Sequence, residues 1–261
     1  EEIFEMRENL ERIIPRLWAT GQREQLDHYV KAVETFLNVY EPEVESEISF
    51  AERHQLRKQT ARDSIAAQQG LKQIIDLTKL LVSAMEAREP YMMNHSISVA
   101  RLSVKIAKQM NWDEEGLQFL ELAALLHDVG KAWIPETLLN KEDELTDVDK
   151  RELRKHAVYA GQILESLTSF TEIVPWIYHH HERWDGKGYP DGLMGEDIPV
   201  ASRIIAVAES YHTMLSGMPG HSPMGSDVAV QVIAAEAGRA YDPFVVDAFK
   251  QVIKSETESS E

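Results

Sequence analysis

The sequence contains no cysteine. That excludes disulfides, thiolate metal sites and a cysteine nucleophile. It fits a reducing compartment, and a cytoplasmic location is expected. No stretch approaches the ~20 apolar residues that a membrane-spanning helix needs, and the start does not read as a signal peptide. The chain begins with Glu1 rather than methionine, so it reads as a fragment, and any upstream sensory or membrane segment would lie outside it. Basic residues are scarce: 27 Lys and Arg against 44 Asp and Glu leave a net charge of −17. With no local basic patch to offset it, such a chain repels duplex nucleic acid and anionic membrane surfaces. A small anionic substrate is compatible with that charge where metal ions supply a positive field. Alternating, strand-like stretches and internal repeats are missing as well. What is plentiful is apolar side chain, 43% of 261 residues, enough for a packed core.

The apolar residues recur at helical spacing throughout, so an all-α fold is expected. Residues 1–70 read as a helical regulatory or connector region. Ile3, Leu10, Ile14 and Leu17 mark one helix, Leu26, Val30, Val33 and Leu37 a second, and a long connector helix runs from about Ser49 towards Met85. These N-terminal helices are a candidate homodimer seam, or equally a surface packed on its own domain. His28 and His54 lie there and read as solvated. Residues 71–254 read as the main domain and 255–261 as a frayed polar tail.

In the main domain, several apolar stripes end in a histidine or a carboxylate. Pro90 is placed to open a helix on which His95, Val99, Leu102 and Ile106 share a face. Asp113 caps the next helix, where Leu117, Leu120, Ala124, His127 and Asp128 align. Gly130 is expected to end it. Thr146 and Asp149 form a capping-box pair, and His156 follows on the apolar face of that helix. Ile198-Pro199 opens another, which carries Glu209 and His212, and Ser226 and Asp242 are candidate caps for the last two. Between them stands the run His179-His180-His181, with helical geometry turning His180 and His181 inward and His179 away. A buried histidine usually has an ordinary explanation as a satisfied core residue. A buried unpaired carboxylate is costly, and a metal would supply the missing partner for both. His95, His127, Asp128, His156, His180, His181 and Glu209 exceed the about four ligands of one tetrahedral ion. Two ions are therefore expected, with Asp128 as the bridge. An all-nitrogen-and-oxygen set suits iron or manganese, and paired metals serve in-line phosphoryl displacement.

The run His127-Asp128-Val129-Gly130-Lys131, with His95 upstream and Glu209 downstream, resembles the HD phosphohydrolase signature. Together with His180-His181-Glu182 and Gly188-Tyr189-Pro190 it resembles the HD-GYP family over residues 71–254. That resemblance implies an HD-domain helical bundle and a metal-dependent phosphodiesterase that hydrolyses cyclic di-GMP to linear pGpG and onward to GMP. Asp128 and Lys131 would be the catalytic residues. His95, His127, Asp128 and Glu209 would hold one metal; Asp128, His156, His180 and His181 would hold the other. Lys131, Arg183, Asp185 and Tyr189 would meet the substrate, cyclic di-GMP or a linear dinucleotide. The Gly188-Tyr189-Pro190 loop implies a diguanylate cyclase partner.

The sequence departs from the family at four places. Glu209 and His212 stand where the family usually has Asp. Met218 stands where it has an arginine. Tyr91 stands where members with three metals carry a glutamate, although Glu86 and Glu89 lie close by in sequence. The alternative is a degenerate member that binds cyclic di-GMP or a partner with little turnover.

Overall fold

The computed structural model describes residues 70–258 apart from 90, 91, 142, 166–170 and 218–221. The expectations for the two N-terminal helices, Pro90, Tyr91 and Met218 fall outside them. The chain divides into two compact units, Glu1–Ile74 and Ile75–Glu261. The second holds every candidate ligand.

Among the described residues the structure is all-α, with a single isolated bridge between Ala237 and Tyr241 in place of any strand. Residues 75–86 are helical (α1). There follow α2 (His95–Gln109), α3 (Glu114–Leu126), a 3₁₀ turn (Val129–Trp133), α4 (Glu136–Leu139), α5 (Asp147–Arg154), α6 (His156–Glu165), α7 (Val174–Tyr178), α8 (Val200–Ser216), α9 (Ser226–Ala235) and α10 (Pro243–Glu258). The last helix continues to Glu258, so most of the expected frayed tail is helical.

α3 is the hydrophobic centre. Leu117, Leu120 and Leu122 through Leu126 are all buried, so this helix is apolar nearly all round rather than along one stripe. α2 packs on it antiparallel, through a turn in which Asn111 takes a left-handed φ of 61°; Asn tolerates that region better than most residues. α8 lies across α2, and α10 covers both. Val99, Ile106, Leu120, Leu125, Ile204, Ile205 and Phe249 fill the space between. Each such side chain contributes about 1.5–3 kcal/mol on burial.

Several local signals appear as the sequence implied. Asp113 accepts from the Gly116 amide at 2.8 Å, and Thr146 with Asp149 forms a complete capping box. Asp242 Oδ1 accepts from the Phe244 amide at 2.8 Å while Oδ2 takes Arg203 at 2.7 Å. Other signals are used differently. Ser226 lies inside α9 and bonds Tyr211 at 2.8 Å, with Gly225 in the cap position. The helix expected to run continuously through His156 breaks at Lys155 into α5 and α6. On α1 the inner face is Ile75, Thr78, Val82 and Glu86, while Leu77, Leu80 and Leu81 are exposed. Glu86 is buried because its Oε1 accepts from the Ser96 amide at 2.7 Å, capping α2, whose own Asn94 supplies no side-chain cap. An anionic acceptor is favoured at a helix N-terminus.

Candidate metal centre and cleft

Four helix ends deliver the histidines. His95 is the first residue of α2 and His156 the first of α6. His127 follows the last residue of α3. His179, His180 and His181 lie in the turn beyond α7 rather than on a helix. Glu209 alone comes from mid-helix, on α8.

The side chains segregate as the sequence implied. His180 is fully buried and His181 partly so. His179 turns away, bonding the Pro175 carbonyl at 2.9 Å and Asp191 at 3.0 Å. Two groups then form in which all ligand atoms lie within 4.8 Å of one another: His95, His127 and Glu209, and His156, His180 and His181. Asp128 stands between them. Its Oδ2 is 3.4 Å from His127 Nε2 and 4.0 Å from His95 Nε2, and its Oδ1 is 3.5 Å from His156 Nε2. One oxygen faces each group, as a bridging carboxylate must. Glu209 also approaches the second group, 3.9 Å from His181 Nδ1.

Proton placement decides what this cluster can bind. His127 Nδ1 lies 2.7 Å from the Ala124 carbonyl, His156 Nδ1 2.7 Å from that of Leu153, and His180 Nδ1 2.5 Å from that of Ile177. A carbonyl only accepts, so each Nδ1 carries the proton and each Nε2 presents a bare lone pair. His156 and His180 therefore point lone pairs at each other across 3.3 Å. His95 Nε2, His127 Nε2 and Asp128 Oδ1 are buried without a hydrogen-bond partner. Buried polar atoms are rarely left so. Lone pairs converging on two points, with carboxylate oxygens between, fit divalent cations, and a ring fixed by Nδ1–H to an acceptor is the usual support of a metal-bound histidine.

Burial holds His95, His180 and His181 well below the usual imidazole range, and His156 below it, so all four stay neutral and able to ligate. Burial alone would raise Asp128, but Lys131 and the surrounding imidazoles hold it well below the carboxylate range. Burial pushes Glu209 up to about 7.

Lys131, on the 3₁₀ turn, lies 2.8 Å from Asp128 Oδ2 and 3.9 Å from Glu89. Burial would lower its pKa, yet Asp128 and Glu89 more than reverse that, so the ammonium is held charged. Gly130 does not end a helix through a left-handed turn. It is needed because its backbone presses on α6, where a Cβ would come within 1.9 Å of the His156 carbonyl oxygen.

The centre forms the floor of a cleft of about 670 Å³, lined among others by Lys131, Lys150, Arg154, His156, His181, Tyr189 and Glu209. That is within the ~300–1,000 Å³ of small-molecule sites. Tyr189 stacks on His181 with ring centroids 4.7 Å apart, and the Arg154 guanidinium lies over the Tyr189 ring, 5.1 Å from its centroid. Burial, with Glu209 and Asp128 nearby, raises the Tyr189 phenol so that it stays protonated.

Arg183 and Asp185 do not line this cleft. They form a bidentate pair at 3.0 and 2.9 Å, and Asp185 donates its amide to the Arg239 carbonyl at 2.8 Å, bracing the loop. Glu182 anchors the same loop by accepting from the Asp191 and Gly192 amides at 2.8 and 2.9 Å. Gly186 takes a left-handed turn, with φ 72°. Gly188 instead answers to space, since a Cβ there would lie 2.4 Å from the Glu182 Cα.

One contributor, Arg154, was not singled out from sequence, and the role of His212, placed beside Glu209 on one helix face, was not assigned. Arg154 sits on a polar face that gives no periodic signal. His212 touches His95, Nδ1 to Nδ1, at 3.0 Å; its helical register with Glu209 was the available clue.

An all-α bundle whose helix ends bring histidines around a shared aspartate defines a class of metal-capable domains. The chain belongs to the HD-domain family, whose model matches residues 69–245. The resemblance to HD-GYP proteins is borne out by its relatives. It is 39% identical over 145 residues to the cyclic di-GMP phosphodiesterase response regulator RpfG of Xanthomonas campestris pv. campestris, covering 55% of this chain and 38% of that one. It is 34% identical over 187 residues to a cyclic di-GMP phosphodiesterase of Thermotoga maritima, covering 71% and 51%. It is 32% identical over 169 residues to 3'3'-cGAMP-specific phosphodiesterase 3 of Vibrio cholerae, covering 65% and 37%. The chain thus spans about a third to a half of the length of these relatives. A solved cyclic GMP-AMP-specific phosphodiesterase from V. cholerae shares the fold, with TM-score 0.56, 23% identity, and 69% and 48% of the two chains covered.

Proposed function

We propose that this chain is a metal-dependent phosphodiesterase that hydrolyses cyclic di-GMP to pGpG, and onward to GMP. The observation that carries the reading is the pair of converging lone-pair clusters on either side of Asp128, beside the fixed ammonium of Lys131. The relatives' names narrow the substrate to cyclic dinucleotides.

His95, His127, Asp128 and Glu209 would hold one ion, and Asp128, His156, His180 and His181 the other, with iron or manganese matching the donor set. Such ions supply Lewis acidity to the phosphoryl oxygens and acidity to a water. The chain's own residues do the rest. Lys131 keeps a positive charge at the cleft floor, where negative charge develops on the phosphoryl group. Tyr189 offers a hydroxyl that remains a donor, and its stacking on His181 fixes where that hydroxyl points. Arg154, which makes no ion pair among the described residues, places a cation above Tyr189. It suits the second phosphate or a guanine face of a cyclic dinucleotide. In the first step, water adds at phosphorus, the bond to one 3′ oxygen breaks, and that oxygen leaves with a proton; the product is linear, with one new terminal phosphate.

The braced loop at Gly188-Tyr189-Pro190 is the surface for a diguanylate cyclase partner. A homodimer would form through the N-terminal helices, most of which lie outside the described residues. A cytoplasmic location matches the substrate, and no described helix is long and apolar enough to cross a membrane.

The test is product formation from cyclic di-GMP by iron- or manganese-loaded protein, with 3'3'-cGAMP run in parallel. Formation of pGpG, absent in Asp128→Asn, is the expected result. Loaded protein that binds cyclic di-GMP without forming pGpG or GMP would replace the enzyme by a sensor. Preference for cGAMP would move the substrate within its class.

A further inference from the structure

His95 lacks the support that the other buried histidines share. His127, His156 and His180 each give Nδ1–H to a carbonyl three residues earlier in their own chain segment. His95 opens α2, and among the described residues its Nδ1 faces no main-chain acceptor. It faces His212 Nδ1 at 3.0 Å, with the rings at 71° and their centroids 5.0 Å apart.

We propose that His212 is the positioning residue of the first metal group, setting the tautomer and ring angle of His95 from α8. The inference rests on the metal-dependent reading of the centre. His95 Nε2 is buried, has no hydrogen-bond partner, and points towards Asp128 Oδ2 at 4.0 Å. To offer a lone pair there, His95 must carry its proton on Nδ1. Among the described residues that proton has one neighbour, so His212 Nδ1 must be bare and accept it. The His212 proton then sits on Nε2; Ser216 Oγ, one turn further along α8, lies at long range from both ring nitrogens, 3.4 Å from Nδ1 and 3.5 Å from Nε2. The protons of His95 and His212 are thereby assigned by the lone pair the metal group requires. His212 does not itself need to reach an ion. It acts through His95, from the helix that also carries Glu209, so α8 holds the first group at two points, while no histidine of the second group leans on His212.

Outer partners of metal-bound histidines typically contribute 10–100-fold to metal affinity. The test compares His212→Leu with His212→Asn in the full chain, titrated with manganese alone. Leucine fills the space without an acceptor; asparagine places Oδ1 where Nδ1 stands. His212→Leu should bind one manganese ion 10–100-fold more weakly and the other as wild type does, while His212→Asn should stay within about threefold of wild type for both. Wild-type affinity in His212→Leu, or asparagine no better than leucine, would overturn the proposal. Melting of the metal-free variants checks that both fold. Nitrogen-15 spectra of metal-free wild type provide a second readout that needs neither metal nor turnover: His95 should be protonated on Nδ1. An Nε2-protonated His95 would overturn the assignment even in an active phosphodiesterase. Conversely, two-ion binding with the expected variant pattern but no hydrolysis of cyclic di-GMP would leave the assignment standing and remove the enzyme reading.

Discussion

Gly130 lies so close to the His156 main chain that a Cβ on it would stand 1.9 Å from the His156 carbonyl oxygen and 2.5 Å from the Ala160 amide nitrogen. The contact brings the 3₁₀ turn that carries Lys131 against the first turn of α6, so one residue type sets the distance between Lys131 and His156. Gly130→Ala has no flexible side-chain end to push aside; it must move backbone. Overpacking of this kind costs typically ~1–3 kcal/mol. The variant should melt lower and lose metal from the His156, His180 and His181 group first, which differential scanning calorimetry and elemental analysis would show. A variant with wild-type melting and metal content would mean that the two segments slide freely.

Asp128 is predicted to matter more to metal content than any single histidine, because its two oxygens face both groups. Asp128→Asn keeps the volume and removes the charge. Metal content should fall below about one ion per chain, whereas His181→Ala should retain the ion of the other group. Equal losses in the two variants would argue against a shared carboxylate.

Metal-free stability should depend on pH in two opposing ways. Burial depresses the pKa of His95, His156, His180 and His181. The unfolded chain takes up protons near ~6.5 where the folded one does not, so stability falls as pH drops below that value. Glu209 runs the other way. Burial raises it from 4.5 to about 7, so the unfolded chain ionises it first and stability is lost as pH rises from about 4.5 through 7. Glu209→Gln cannot ionise. It should stabilise the metal-free protein by about 3 kcal/mol at pH 8 and by little at pH 4.5, read by thermal melts. With metal bound the sign at pH 8 reverses, since a ligand has been lost.

Arg154 and Tyr189 should separate binding from turnover. Arg154→Ala should raise KM for cyclic di-GMP by about tenfold, the loss of one charge-assisted contact, with kcat changed less. Hydrolysis of bis(p-nitrophenyl) phosphate, which has one phosphate and no base, should be unaffected by Arg154→Ala. Tyr189→Phe keeps the platform under Arg154 and should spare KM; Tyr189→Ala should not.

Much of the centre was legible in the sequence because its residues sit on apolar stripes: His95 with Val99 and Ile106, His127 and Asp128 after Leu120 and Ala124. A polar residue in such a stripe must be answered by a partner, and periodicity finds it. The family resemblance implies substrate contacts for Arg183 and Asp185, and a motif match does not reveal that an Arg and an Asp two residues apart satisfy each other. Leu77, Leu80 and Leu81 outweigh Thr78 and Glu86 on any hydropathy scale, yet the latter are the buried pair. The reason is a hydrogen bond across sequence, Glu86 to Ser96, which no local pattern carries. Gly130 suggested a helix terminator for the same reason: close approach of a distant segment and a left-handed turn both call for glycine.

The carbonyls of Ala124, Leu153 and Ile177 belong to helix ends, where main-chain acceptors lack helical partners, and His127, His156 and His180, which cover them, turn their other nitrogen to the metal positions. Helix capping and ligand orientation are thus one set of bonds. An ion joining His95 to Glu209 would tie together segments far apart in a chain without disulfides, and because that ligand set is scattered in the unfolded chain, the free energy of binding becomes free energy of folding. Chelation should then cost the protein more than its ions: the helix ends that the histidines cap would loosen together, and cooperativity of unfolding should fall with them.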